Sequence, residues 1–199
     1  MSNTVFCTLT NGSGNQNAAN PRGTNPYGSI MSWNETGDDF RSLTFDWNIF
    51  ALCGDPAYPA LSAAGNIVGD IYGSPDGIMV DDDGRIWIQT DISNSSQNLV
   101  SKGYDNIGNN QMLCADPVSG ETRRFLVGPR GCELTGIAIT PDQQTMFVNI
   151  QHPGESTPAF GSPTNANPRA VSNWPDYDPD GRPRPATVVI RKIGGGKIG

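Results

Sequence analysis

Three acidic side chains stand where strands begin or end. Asp76 opens and Asp91 closes the stretch SPDGIMVDDDGRIWIQTD (74–91), and Glu133 heads the apolar run CELTGIAI. Carboxylates drawn together from separate strands offer a hard divalent cation what it takes: several oxygen ligands at one point. Each has a plainer reading as well. Asp76 in SPDG suits an Asx-turn ahead of a strand, and Asp91 suits the anchor of the long loop that follows it. Glu133 is harder to explain that way, because a glutamate in an apolar run needs a partner. Gln151 and His152 fall at the place corresponding to Asp91. His152 is the chain's single histidine. That excludes a multi-histidine metal site and suits a satisfied structural imidazole.

Two arginines, Arg22 in NPRGTNP and Arg130 in GPRGCE, could bind an anionic substrate by bidentate contact; exposed surface arginine is the ordinary alternative. The run DYDPDG (176–181) copies the start of a calcium loop. Its twelfth position is Thr187 where a bidentate Glu is needed, so it reads as a solvated loop. No nucleophile elbow, phosphate-binding Gly–Lys loop or Ser/His/Asp ordering is present.

Carboxylates on separate strands converge only if the strands recur in a fixed arrangement, and the middle of the chain is repetitive. Laying DGIMVDDDGRIWIQTD over TGIAITPDQQTMFVNIQ pairs Gly77 with Gly136, Ile78 with Ile137 and Val80 with Ile139. After one extra residue in the second turn, Ile86-Trp87-Ile88 meet Met146-Phe147-Val148. Both copies are hairpins, turning at Asp83-Gly84 and Pro141-Asp142. QMLCADPVSGETRRFLVG adds strand, turn and strand after the first copy. GSIMSWNETGDDFRSLTFDWNIF has the same layout nearer the N-terminus, and PATVVIRKI supplies one strand near the C-terminus. Labelling strands A to D within a unit, the chain reads B-C-D, A-B-C-D, A-B-C. The expected fold is therefore all-β, a partial β-propeller of about two and a half four-stranded antiparallel blades within a single domain spanning 1–199. Propellers remove exposed sheet edges by closing, so further blades are expected outside this sequence. Three long connections, around residues 10–28, 91–110 and 152–185, recur at one place in the unit and should gather at one face, where binding sites usually sit.

Composition narrows the function. Glycine (24) and proline (16) are abundant in the 199 residues, and the apolar share is 36%, which fits many turns between short strands. Thirteen basic against twenty acidic residues leave a net charge of −7. Nucleic acid is a poor partner for such a chain, because no basic stripe is present to neutralise phosphates. Cys7, Cys53, Cys114 and Cys132 show no zinc-like spacing; buried thiols are the simplest reading and one or two disulfides the other. MSNTVFCTLTNG lacks the features of a signal peptide, and no apolar run is long enough for a transmembrane helix.

VFCTLTNG, ANPRGTNPYGSI, GSPDGIMVDDDGRIWIQTD, the run from Asn109 to Glu155 and SNWPDYDPDGRPRPATVVIRK together resemble the C-terminal part of PhoX-type alkaline phosphatases. The resemblance implies a six-bladed propeller, export to the periplasm or beyond, and hydrolysis of small phosphate esters. It also implies calcium together with a bridged pair of irons, whose ligands lie largely outside these residues. On motif position it carries metal ligation to Asp76, Asp91 and Glu133. One departure is Ser29, where the family commonly has histidine. The expected function is thus part of an exported metal-dependent phosphatase, inactive until the missing blades close the ring. The alternatives are a calcium-dependent lactonase-type propeller and a non-enzymatic propeller binding module.

Overall fold

The computed structural model of the chain describes residues 3–58 and 63–199. Thirteen strands run in chain order: β1 (Val5–Leu9), β2 (Gly12–Ser13), β3 (Thr24–Asn25), β4 (Ser29–Glu35), β5 (Phe45–Leu52), β6 (Val68–Gly69), β7 (Pro75–Val80), β8 (Ile86–Thr90), β9 (Gln111–Ala115), β10 (Glu121–Val127), β11 (Glu133–Ile139), β12 (Met146–Gln151) and β13 (Ala186–Ile190). Helix among the described residues is confined to two 3-10 segments, Thr36–Asp38 and Val100–Lys102, and no helix is long and apolar enough to cross a membrane.

The strands form three main sheets, ordered β1-β4-β5, β6-β10-β9-β8-β7 and β11-β12-β13, plus the small β2-β3 ribbon. The expected B-C-D, A-B-C-D, A-B-C order is recovered strand for strand, with antiparallel neighbours throughout those units. One strand was not anticipated. Two-residue β6 adds to the free edge of β10 in parallel, through Glu121↔Val68 and Thr122↔Gly69. Its sequence NIVGD has neither the length nor the alternation that marks a strand.

The two aligned hairpins share an irregularity as well as a pattern. In β7–β8 the register shifts between Pro75 and Ile78, and in β11–β12 between Thr135 and Ile137. Each bulge contains the aligned glycine, and each glycine faces an amide side chain. A Cβ on Gly77 would lie 2.6 Å from Gln89 Oε1, and one on Gly136 would lie 2.6 Å from Asn149 Nδ2. A side chain at either position would force that amide end to move, and Gly136, at φ 60°, also holds a backbone conformation that favours glycine.

Alternation in β8 joins the sheets. Ile86 and Ile88 enter a core shared with Tyr27, Ile30, Tyr72 and Leu113. Trp87, pointing the other way, enters a second core with Met112, Leu134, Met146 and Val148. All three residues are fully buried, so the middle sheet is covered on both faces. The first sheet is not. Trp33, Phe45 and Trp47 lie beside Phe40 and the 98% exposed Leu43 on its outer side.

The β7–β8 turn is fastened by Asp81, whose side chain is only 2% exposed. Its Oδ1 accepts the backbone N–H of Asp83 and Arg85, and its Oδ2 accepts Arg85 Nε and Trp87 Nε1, each at 2.8 Å. Asp81→Asn keeps the shape but removes the charge and one acceptor. It is expected to lower stability by about 1.5–3 kcal/mol, the scale of a charge-assisted hydrogen bond, read as a lower urea midpoint at unchanged slope.

Candidate functional site

The ends of the sheets opposite these turns carry the acidic residues. Asp76 is the second residue of β7, Asp91 follows β8 directly, and Glu133 opens β11, which packs against β7 and β8 of the neighbouring sheet. One carboxylate oxygen from each of the three lies within 4.8 Å of the others. Asp76 is exposed, while Asp91 and Glu133 are half-buried.

The repeat did not place Glu133 as simply as it suggested. Counting from the paired glycines, Asp76 corresponds to Thr135, and Glu133 corresponds to Ser74. Glu133 reaches the cluster because it pairs with Gln151 across the β11–β12 ladder, as Ser74 O pairs with Asp91 N in the sheet before it. The two acids therefore come from different rungs of equivalent hairpins.

Several contacts fix the backbone around the cluster. Thr8 Oγ1 of β1 donates to Asp76 O at 2.7 Å, which ties the first sheet to the site. Ser74, at φ 55°, receives Asp91 N and gives its own N–H to Tyr27 O. Its hydroxyl meets Tyr104 Oη at 2.8 Å, and Tyr104 donates onward to Pro26 O. Buried Asn110 links the other two acids. It accepts Thr90 Oγ1 and Ile92 N through Oδ1, and donates through Nδ2 to Ile92 O and Cys132 O. Those groups flank Asp91 on both sides and immediately precede Glu133. Gln97, also buried, donates to Ile92 O and Asn94 Oδ1. Asn110 and Gln97 belong to no recognisable motif; an amide beside a strand carries no signal until its partners are known.

The electrostatics are those of crowded anions. Burial raises the Asp91 carboxyl above its ordinary pKa, and Asp76 and Glu155 push the same way against the opposing effect of His152. Burial likewise raises Glu133, reinforced by Asp91 and Asp76 and again opposed by His152. Gln151 Nε2 donates to Glu133 Oε2 at 2.5 Å. His152, at φ 37°, places Nε2 3.6 Å from that oxygen, while Nδ1 lies 3.1 Å from both Gly131 O and Glu155 Oε2. Asn94 also donates to Glu155. The lone imidazole is thus satisfied, as expected, but at the edge of the acidic cluster.

The remaining sequence candidates lie apart. Arg22 is 5% exposed and donates to Ala63 O, Asn25 Oδ1 and Cys53 O; in that place it braces the first long loop. Arg130 is exposed and stacks over Phe160, its guanidinium carbon 4.2 Å from the ring centroid. In DYDPDG, Asp176 pairs with Arg184 and Asp178 caps Asp180 N, so the segment is the solvated loop expected. All four cysteines are free thiols; burial pushes Cys53 and Cys132 up to about 12. The three long connections do meet at one face: Tyr27 reaches Lys102 O, and Asn94 reaches Glu155.

This architecture defines an all-β class of protein that presents a multi-sheet carboxylate cluster beneath clustered loops. The family profile described as "Alkaline phosphatase PhoX" matches residues 1–154. A solved structure, "Pseudomonas fluorescens PhoX in complex with vanadate, a transition state analogue", is 41% identical and superposes with a TM-score of 0.80. The match covers 98% of this chain and 32% of that one, so the chain spans about a third of the length of the solved relative. No curated protein matched the chain. The chain belongs to the PhoX alkaline phosphatase family.

Proposed function

We propose that the chain forms part of an exported, calcium-dependent phosphatase acting on small phosphate esters, with Asp76, Asp91 and Glu133 as calcium ligands. The observation that carries this reading is the convergence of three carboxylates from two sheets within 4.8 Å. The donor set fits calcium: it is all oxygen, partly exposed and flexible enough for mono- or bidentate contact. Iron finds no comparable fit, because no thiol or second histidine joins the cluster among the described residues. Calcium bound there would polarise phosphoryl oxygens and offset the charge of an anionic ester. The chain's own residues present the ligands and hold them in place. Gln151 and His152 steady Glu133, and Asn110 sets the backbone beside Asp91 and Glu133. Unscreened, three carboxylates would repel that phosphate, so the same geometry without a cation disfavours binding.

The three sheets are read as successive blades of a six-bladed propeller. The apolar outer face of the first sheet, with Leu43 and Phe45 exposed, supports a neighbouring blade against it. On this reading the 199 residues alone hydrolyse no ester. The test joins them to the remaining two thirds of the Pseudomonas fluorescens phosphatase and measures p-nitrophenyl phosphate cleavage. Turnover should appear in the chimera, be absent from the isolated chain, and vanish with chelator. Cleavage indifferent to chelator would remove the metal from the reading.

A further inference from the structure

A cavity of about 460 Å³ opens beside the acidic cluster, within the roughly 300–1,000 Å³ of small-molecule sites. His152 and Glu155 line its inner side, and the third long connection supplies the rest. Because His152 also borders Glu133, the cavity begins where the carboxylates end.

Its wall is stiff. Pro163, Pro168 and Pro183 line it, and each proline ring fixes its own φ. Gly154 approaches Pro183 so closely that a Cβ would sit 2.7 Å from the ring Cγ. Arg184, the next residue, is fixed to Asp176. Arg182 differs: it lines the cavity, is exposed, and among the described residues makes no hydrogen bond or ion pair. Glu155 across the cavity already lies 3.1 Å from His152 Nδ1 and accepts Asn94 Nδ2.

We infer that this cavity takes the alcohol half of the ester, and that Arg182 binds a second anionic group carried on that alcohol, a carboxylate or a further phosphate. The inference rests on the phosphatase reading. With the phosphoryl group at the acidic cluster, the adjoining open recess is the room left for the rest of the molecule. A planar guanidinium meets two oxygens of a carboxylate or phosphate at once. Thr164 and Asn165, also in the lining, serve hydroxyl groups along the way. The reaction served is hydrolysis: water oxygen bonds to phosphorus, the bond to the alcohol oxygen breaks, and the alcohol leaves carrying a proton from that water.

The test uses the chimera described above and three esters sharing one skeleton: glycerol 3-phosphate, 3-phosphoglycerate and glycerol 1,3-bisphosphate. The kcat/KM for the two anionic esters, relative to glycerol 3-phosphate, should be about tenfold or more, the scale of one charged hydrogen-bonded contact. Arg182→Ala should bring those ratios close to one, and Arg182→Lys should restore part of the preference. Loss confined to the carboxylate ester or to the bisphosphate identifies which group Arg182 holds. Ratios near one in the unmodified chimera overturn the inference while leaving the phosphatase reading intact, provided p-nitrophenyl phosphate is cleaved. An equal fall for every ester in Arg182→Ala also overturns it. A chimera that cleaves no ester sinks the phosphatase reading and this inference together.

Discussion

Calcium added to the 199-residue chain should raise its melting temperature by about 3–10 °C at neutral pH. An incomplete, partly exposed carboxylate set belongs with the weak class of calcium sites, at roughly 10⁻⁴–10⁻³ M. At 10 mM calcium, mass action then contributes about 1.4–2.7 kcal/mol, and each kcal/mol moves a domain of this size by about 2–4 °C. The increment should depend on pH in a definite direction. Burial raises both Asp91 and Glu133 above their ordinary pKa, reinforced by Asp76 and Glu155 at Asp91 and by Asp91 and Asp76 at Glu133. Their contribution to metal-free stability is therefore present below about pH 4, the ordinary carboxylate range, and is lost as pH rises through the raised values. Calcium opposes that loss, so its effect should grow from pH 4 to pH 7. Glu133→Gln should leave the metal-free chain as stable or more stable at pH 7 while cancelling most of the calcium response. A full calcium response surviving in Asp76→Asn/Glu133→Gln would place the cation elsewhere.

Asn110→Ala should be the most damaging single change near the site, costing about 3–5 kcal/mol. Truncation strands the Thr90 hydroxyl and the Ile92 N–H and leaves Ile92 O and Cys132 O with Gln97 alone, and each buried group left unpaired costs roughly 1–3 kcal/mol before relaxation. The loss should appear in a urea melt as a lower midpoint at unchanged slope. Because the same amide holds the backbone beside Asp91 and Glu133, the surviving folded fraction should also respond less to calcium. Asn110→Asp separates the two effects. It keeps the acceptor but turns the Nδ2 donor into an oxygen facing Ile92 O and Cys132 O, and it adds a further negative charge near the cluster. Its stability should also fall, and its dependence on calcium should rise. A variant as stable as the parent, with an unaltered calcium response, would show that Asn110 positions nothing.

The hairpins were legible because their information is local. A paired glycine, alternating Ile and Val, and a turn with Asp and Gly specify where strands start, turn and end. Asp76 and Asp91 were legible for the same reason, since both sit at the ends of one such hairpin. Glu133 was legible as a glutamate heading an apolar strand at the start of the next unit, although the paired glycines set Thr135, not Glu133, opposite Asp76. The rest depends on partners distant in sequence. Arg22 looks like any exposed arginine until Cys53 O and Ala63 O are brought to it. Asn110, Gln97 and the edge strand β6 acquire meaning only from the neighbouring sheet or loop. Arg182 carries no signal of its own in the sequence, because a long proline-rich connection reads as a tether until it folds into a wall.

The paired bulges carry one more implication. Asp76 and Gly77 together stand opposite the single residue Gln89, so a surplus of one peptide unit, not a side-chain preference, turns the acid toward the rim. Excising Gly77 would seat Asp76 directly against Gln89, putting a Cβ where Gln89 Oε1 stands 2.6 Å away and must move. Aim set by counting in this way is indifferent to gradual change in the surrounding residue types, yet it fails at a stroke when the count changes by one.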